Sequence, residues 1–585
     1  MNIPRLNEIG RTRLYTEQFL GLDRRPRTYD GAFDAMGNMS GEPWPLIATR
    51  KKRGLVAELD APQGMCSLGK LAWVAGGTLY FDGEPTAITG LSAGEKQLAT
   101  IGAYIVVFPD GVYYNTVDPA DRGVIDREWQ SSGNVSFTLC DMDGVEYPRN
   151  KITVSDTAPE EPSDGDYWIN TSQSVHTMYR YSDMYEDWYG MSSVYVKISA
   201  AGIGAGLSVQ DGVNISGIAY TGQDEALKKQ LEMLNQASVA QAVDDDFIVV
   251  IGLIDANWTQ TTGTIRADRK MPKMDYVIEC NNRLWGCRYG VGDDGEFYNM
   301  IYASALGDFK NWQKYMGTSQ DSYYVAVGSE GPFTGAAVHR GSPWFFKMNC
   351  VHRIYGEVPS NFTVQVSLCD GVIPGAHKTL IPYNGALYYL SPTGPMYFES
   401  LPDNFGQALD RRLIGGAAGQ CGGKYYLSAQ DEEGTWSLYV FDTQRRTWHR
   451  EDESHALAFT ALEGEMYMLL ENGLLYALNG TAGEEEPEDI QWYMETAPMG
   501  YEYPDHKYLS RFLIRVELRG EMRAYVQYDG QGPWHPKGYI EGVGTVRSFL
   551  FPISPRRCES MKLRLVGKGE IKLYSIAREL AMGRD

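Results

Sequence analysis

The sequence predicts a mainly β protein: a β-propeller with an inserted small α+β domain and a C-terminal β-sandwich. Three observations predict it. A unit of apolar strand, tight turn and aromatic-rich strand recurs along the chain. Gly and Tyr are abundant, at 64 and 39 of 585 residues, a balance that favours short strands and turns over long helices. A single stretch, 224–237 (DEALKKQLEMLNQA), carries a clear helical period, with Leu227, Leu231 and Leu234 on one face.

Residues 1–55 are expected to form an extended N-terminal arm. Pro, Gly and charge dominate it, yet Tyr15, Phe19, Leu20, Phe33, Met36, Met39, Trp44 and Leu46 are apolar anchors that a solvated tail does not need, so the arm is expected to pack on its own propeller or on a neighbouring subunit. The repeated unit then appears at 71–83, 100–115, 277–290, 337–356, 380–400, 421–450 and 458–480. Gly-Gly, Asn-Gly, Asp-Gly or Glu-Gly pairs at its turns tolerate the positive φ of tight hairpins. A spacing of about 40 to 50 residues is that of four-stranded propeller blades. The propeller is therefore assigned to 56–145 and 266–484. The intervening 146–265 opens with an acidic, Pro-rich hinge and holds the helix, so it reads as the inserted α+β domain. After the acidic spacer GEEEPED, residues 485–585 alternate apolar and polar side chains with many arginines. That pattern predicts the β-sandwich, with one cationic face.

The net charge is −22, which repels phosphate and excludes sequence reading of nucleic acid. Passage of DNA without recognition stays compatible. The eight cysteines form no CxxC pair and fit reduced core thiols. No run approaches the roughly 20 apolar residues of a membrane span, and no signal-peptide pattern opens the chain, so assembly in a reducing cytoplasm and no membrane insertion are expected.

Chemistry-bearing motifs are sparse, and the chain reads as no enzyme. No catalytic, cofactor-binding or metal-binding residues are assigned, and no cofactor is expected. The eight histidines are dispersed. Asp141-Met142-Asp143-Gly144 begins like a calcium loop, but Ile152 stands where the closing Glu belongs. Asp293, Asp294, Glu296, Asp431, Glu432 and Glu433 are loop carboxylates of the kind a propeller glycosidase pairs. With 75 acidic residues such pairs arise by chance. Ser304 to Trp312 ends like an Asp-box but lacks its S-x-D-x-G order.

The segments MIYASALGDFKNW, DGAFDAMGNMSGEPWPLIATRKKRG and ISPRRCESMKLRLVGKGEIKLYSIARELAMG resemble structural tail or neck proteins of phages and prophages of gut Firmicutes. More distantly, the architecture resembles the β-propeller tail nozzle and hub proteins of short-tailed phages. The resemblance implies a bacteriophage virion structural protein, a nozzle or head–tail connector component on the DNA exit path. It implies a homo-oligomer, a ring of about six copies such as cyclic symmetry builds, contacting neighbouring neck and tail proteins. The arm and the basic C-terminal region supply the candidate subunit contacts: Phe19, Arg24, Arg25, Trp44, Arg50, Lys51, Lys52, Arg53, Arg515, Arg519, Arg556 and Arg557. The alternatives are a receptor- or glycan-binding protein at the tail tip, with Tyr185, Trp188 and Tyr189 stacking on sugar rings, or a propeller glycosidase.

Overall fold

A computed structural model describes residues 11–26, 28–500, 507–553 and 556–582. The first ten residues of the expected arm lie outside them. The chain is mainly β, and its one described α-helix is Glu225–Glu232.

Seven antiparallel sheets follow one another in a β-propeller-like arrangement. Six are formed by contiguous segments, at 62–85, 97–124, 276–326, 333–368, 381–404 and 413–450. The seventh takes three strands from 456–477 and is completed from the N-terminal side by Gly54–Glu58, which pairs with Leu474–Ala477. The first strands touch in chain order, and that of the seventh sheet returns to that of the first. There Thr460 Oγ1 donates to Ser67 Oγ (2.9 Å), and Ser67 Oγ donates to the Ala461 carbonyl (3.1 Å). Second strands such as Lys70–Ala75 and Ser342–Lys347 are buried almost end to end, because neighbouring sheets cover both of their faces. The first hairpins of the third to seventh sheets turn on two residues of positive φ. Asn281 and Asn282 (54° and 59°) and Gly422 and Gly423 (57° and 81°) are examples. That geometry matches the right-handed twist of the flanking strands.

The N-terminal segment is no extended arm. It is built into a 14-stranded sheet that begins as the sixth sheet. Leu22 pairs with Trp448 on the outermost strand of that sheet, and Gly21–Leu22 runs parallel to Ala32–Gly37. Ala32–Gly37 pairs with Gln491–Thr496, which pairs with Met561–Met582. Arg11–Thr16 and Ile47–Thr49 line the same edge of Met561–Met582. Phe19, Phe33, Met36, Met39 and Ile47 are buried in one core shared with the fourth to sixth sheets and the C-terminal strands. The apolar anchors are thus mortar within the chain.

The C-terminal region also differs from the expected sandwich. Its main elements are three 22-residue strands, Lys507–Tyr528, Gln531–Pro552 and Met561–Met582, in one continuous sheet with Lys507–Tyr528 in the middle. The alternation seen in sequence is real, but the second layer over its apolar face comes from the ring and the N-terminal segment. Gly542, Gly520 and Gly569 face one another across the three strands. A Cβ on Gly520 would meet the Lys568 carbonyl at 2.1 Å, so only glycine admits this close approach.

The insertion begins before residue 146. Val135–Cys140 already pairs with Tyr195–Ser199 and Trp258–Gln260, and Arg127 bridges to Arg269 at the neck. The insertion has its own core, from Val135 to Ala267. Its helix is shorter than expected. Asp224 caps it by accepting from the Ala226 and Leu227 amides (3.0 and 3.1 Å), and Ala237–Val239 is already a strand. A buried network fixes the insertion to the third sheet. Asn311, fully buried, donates to Asp211 (2.8 Å) and accepts from the Gly212 amide (2.8 Å), while Arg269 pairs with Asp211 at 2.5 Å.

Candidate assembly surfaces

The residues expected to contact other subunits divide into buried and exposed sets. Phe19 is 2% exposed and packs on Phe33 with ring centroids 5.8 Å apart, so it cannot reach another chain. Arg53, 3% exposed, forms 2.7 Å ion pairs with Glu451 and Asp452. Arg50 is bound to Glu486 at 2.7 Å. Arg24 donates to the Asp34 carbonyl (3.3 Å), and the half-buried Trp44 lies under Arg445. These five serve the internal joint between ring, N-terminal segment and C-terminal sheet. Arg25 and Lys51 are exposed, though paired with Asp23 (2.6 Å) and Glu42 (3.1 Å), and Lys52 is half-buried. Arg515, Arg519, Arg556 and Arg557 are exposed.

Arg50, Lys51, Lys52, Arg519 and Lys572 line one cleft of about 900 Å³ over the glycine row, opposite Glu485, Asp489, Glu517 and Glu570. The sequence therefore named two segments that the fold brings together. The cationic face it predicted does not form. Along the outward face of Lys507–Tyr528, Arg515, Arg519 and Arg523 alternate with Glu517 and Glu521. Across from them, Arg519 meets Glu570 and Glu517 meets Lys572 in register. Arg511 pairs with Glu579 at 3.1 Å and Arg564 with Glu495 at 2.5 Å. Alternation in one strand fixes the face of each charge, but its neighbours come from distant strands.

Of the glycan-contact candidates, Tyr185 and Tyr189 are 62% and 46% exposed and meet edge to face at 5.3 Å. Trp188 points to the other side of its strand and packs on Trp168 (5.8 Å) and Tyr181 (5.3 Å). The loop carboxylates do not converge. Asp293 pairs with Lys273 on the third sheet. On the sixth sheet, Asp431 caps a turn by accepting from the Glu433 and Thr435 amides (3.1 and 2.9 Å), and it pairs with Arg411. Asp141 likewise caps a turn, accepting from the Asp143 and Val145 amides.

Sequence reasoning missed a polar cluster that joins several of the sheets. Glu95, just before the first strand of the second sheet, lies 3.1 Å from both His377 Nε2 and Lys378 Nζ, just before the fifth. Lys378 also donates to the Leu457 carbonyl on the seventh sheet (2.7 Å), and the Tyr276 ring of the third sheet lies 5.0 Å from His377. Residues beside the first strands of the second, third, fifth and seventh sheets thus meet in one place. Burial raises the Glu95 carboxyl, but His377 and Lys378 outweigh that and bring it from 4.5 down to about 2. Burial holds His352 and His449 neutral, lowered from 6.5 to about 4. All three folded values are depressed, so the stabilisation is complete at neutral pH. It is lost first between 6.5 and about 4 through the histidines, then between 4.5 and about 2 through Glu95. Urea midpoints measured against pH are expected to fall over both windows, and Glu95→Gln to flatten the lower one.

No family model matches the chain, and no curated protein does. Among solved structures, it is similar to BamB from Moraxella catarrhalis, at 11% identity and a TM-score of 0.32, covering 75% of this chain and 99% of that one. It is similar to the computationally designed Ika8 protein at 8% identity and 0.28, covering 73% and 99%. An exo-β-1,3-galactanase from Phanerochaete chrysosporium gives 10% identity and 0.18, covering 52% and 94%. At TM-scores this low none of them bears on what this chain does.

Proposed function

We propose that the seven sheets are the blades of a closed β-propeller, and that the chain is a non-enzymatic structural subunit of a phage tail or neck. The observation that carries this reading is mechanical. One hydrophobic core runs from the ring through the N-terminal segment into a sheet of three 22-residue strands, a rigid lever about 70 Å long at the usual rise per residue. Such a body transmits position from one partner to another. The named carboxylates and histidines serve turns, ion pairs and packing, which leaves a scaffold role as the economical account. The three sequence segments that resemble phage structural proteins supply the virion as its setting. In a closed propeller the Glu95 cluster, which links residues beside the second and fifth sheets, would narrow the centre, so the proposed DNA path lies outside the single ring, between subunits or beside them. The composition of purified phage particles tests the reading: the chain is expected among their structural proteins at fixed stoichiometry, and its absence would overturn the proposal.

A further inference from the structure

The outermost strands of the other sheets are short. Glu84–Pro85, Arg122–Val124, Tyr323–Ala326, Thr363–Leu368 and Pro402–Asn404 span two to six residues. Short edges are how β proteins keep strand pairing internal. Gln531–Pro552 breaks that pattern. It is 22 residues long and ends the 14-stranded sheet, and among the described residues its far edge pairs with no strand. A row of unpaired amides and carbonyls of that length is a template for another extended chain.

The same strand carries exposed apolar side chains: Tyr539 (50%), Val543 (75%), Val546 (41%) and Leu550 (52%). All four lie on the outward face, because their partners on Lys507–Tyr528 are Arg523, Arg519, Glu517 and Leu513. Ile540 and Phe549 lie on the inward face, opposite Met522 and Ile514. Between the two halves sits a bulge: Thr545 opposes Leu518 and Val543 opposes Arg519, which leaves Gly544 (φ 83°) without an opposite residue.

We propose that two copies of this chain join by antiparallel pairing of their Gln531–Pro552 edges about a twofold axis at the Gly544–Thr545 peptide. This rests on the reading of the chain as a structural subunit and names its partner. Because the bulge shifts the alternation by one, a twofold there sets outward residues against outward ones. Val543 meets Val546, Tyr539 meets Leu550, and inside Ile540 meets Phe549. Glu541 falls opposite Ser548 and Arg547 opposite Gly542, so no like charges oppose each other directly. Every exposed apolar residue of the edge thus gains an apolar partner in a single register. Such self-complementarity is what a twofold contact requires, and aromatic and β-branched cross-strand pairs stabilise it.

Light scattering on the full chain tests this. The wild-type protein is expected at twice the 65.4 kDa chain mass, and the Val543→Lys/Val546→Lys variant, which sets lysine against lysine, at the single-chain mass with unchanged circular dichroism. The Val543→Cys/Val546→Cys variant is expected to form a disulfide-linked dimer on oxidation, and Val543→Cys alone to form none beyond the wild-type level. A wild-type protein at single-chain mass overturns the inference. So does a lysine variant that still associates, which would leave the structural reading standing on another surface. Association only with a different particle protein likewise overturns the inference and spares that reading.

Discussion

Phe33→Ala is expected to destabilise the protein by about 3 to 5 kcal/mol, the range for emptying a buried aromatic site. Phe33 is fully buried and packs against Phe19 on the strand that ties Gly21–Leu22 to Gln491–Thr496. Its loss removes volume at the joint between the sixth sheet and the long strands. The expected signature is regional. Hydrogen exchange should accelerate in Lys507–Tyr528 and Met561–Met582 well before it does in the first and second sheets. Uniform acceleration, or none, would mean that the N-terminal segment does not hold the two bodies together.

Asn311→Ala is expected to cost about 3 kcal/mol, because a truncated partner strands buried polar groups that keep their full desolvation penalty. The lost amide leaves Asp211 Oδ1 and the Gly212 N–H without their partners at the foot of the insertion. Arg269 still neutralises Asp211, so the charge stays paired and the ring keeps its core. Thermal unfolding should split, with the insertion melting first, and limited proteolysis should cut near residues 127 and 269. A single unshifted transition would show that the network is dispensable.

Much of the β architecture was legible because it is local. The repeated turns announce themselves by Gly and Asn pairs, and each repeated unit covers all or nearly all of the second strand of one of the seven sheets. The helix was legible from Leu227 and Leu231, though its end was not, since Asn235 and Gln236 turn the chain early. What stayed hidden depends on sequence-distant partners. Arg53 looked like a surface cation until Glu451 and Asp452 met it from 398 and 399 positions away. The second half of Gln531–Pro552, from Thr545, alternates like a strand; its first half hid because Pro533, Pro536 and its glycines obscure the pattern, while pairing to Lys507–Tyr528 over the whole length holds it extended. Of the apolar anchors of the N-terminal segment, Phe19, Phe33, Met36 and Met39 are buried while Tyr15 is exposed and Trp44 half-buried; of the two expected destinations, the chain's own body and a neighbouring subunit, the structure shows the first.

Electron cryo-microscopy of particles purified from a host that makes this protein decides whether it is a rigid structural subunit of a phage particle. Tail or neck density is expected in which a seven-sheet body continues without a hinge into a long twisted sheet, repeated by the particle's symmetry. Particles complete without that density, with the protein left free in the lysate, would contradict that reading.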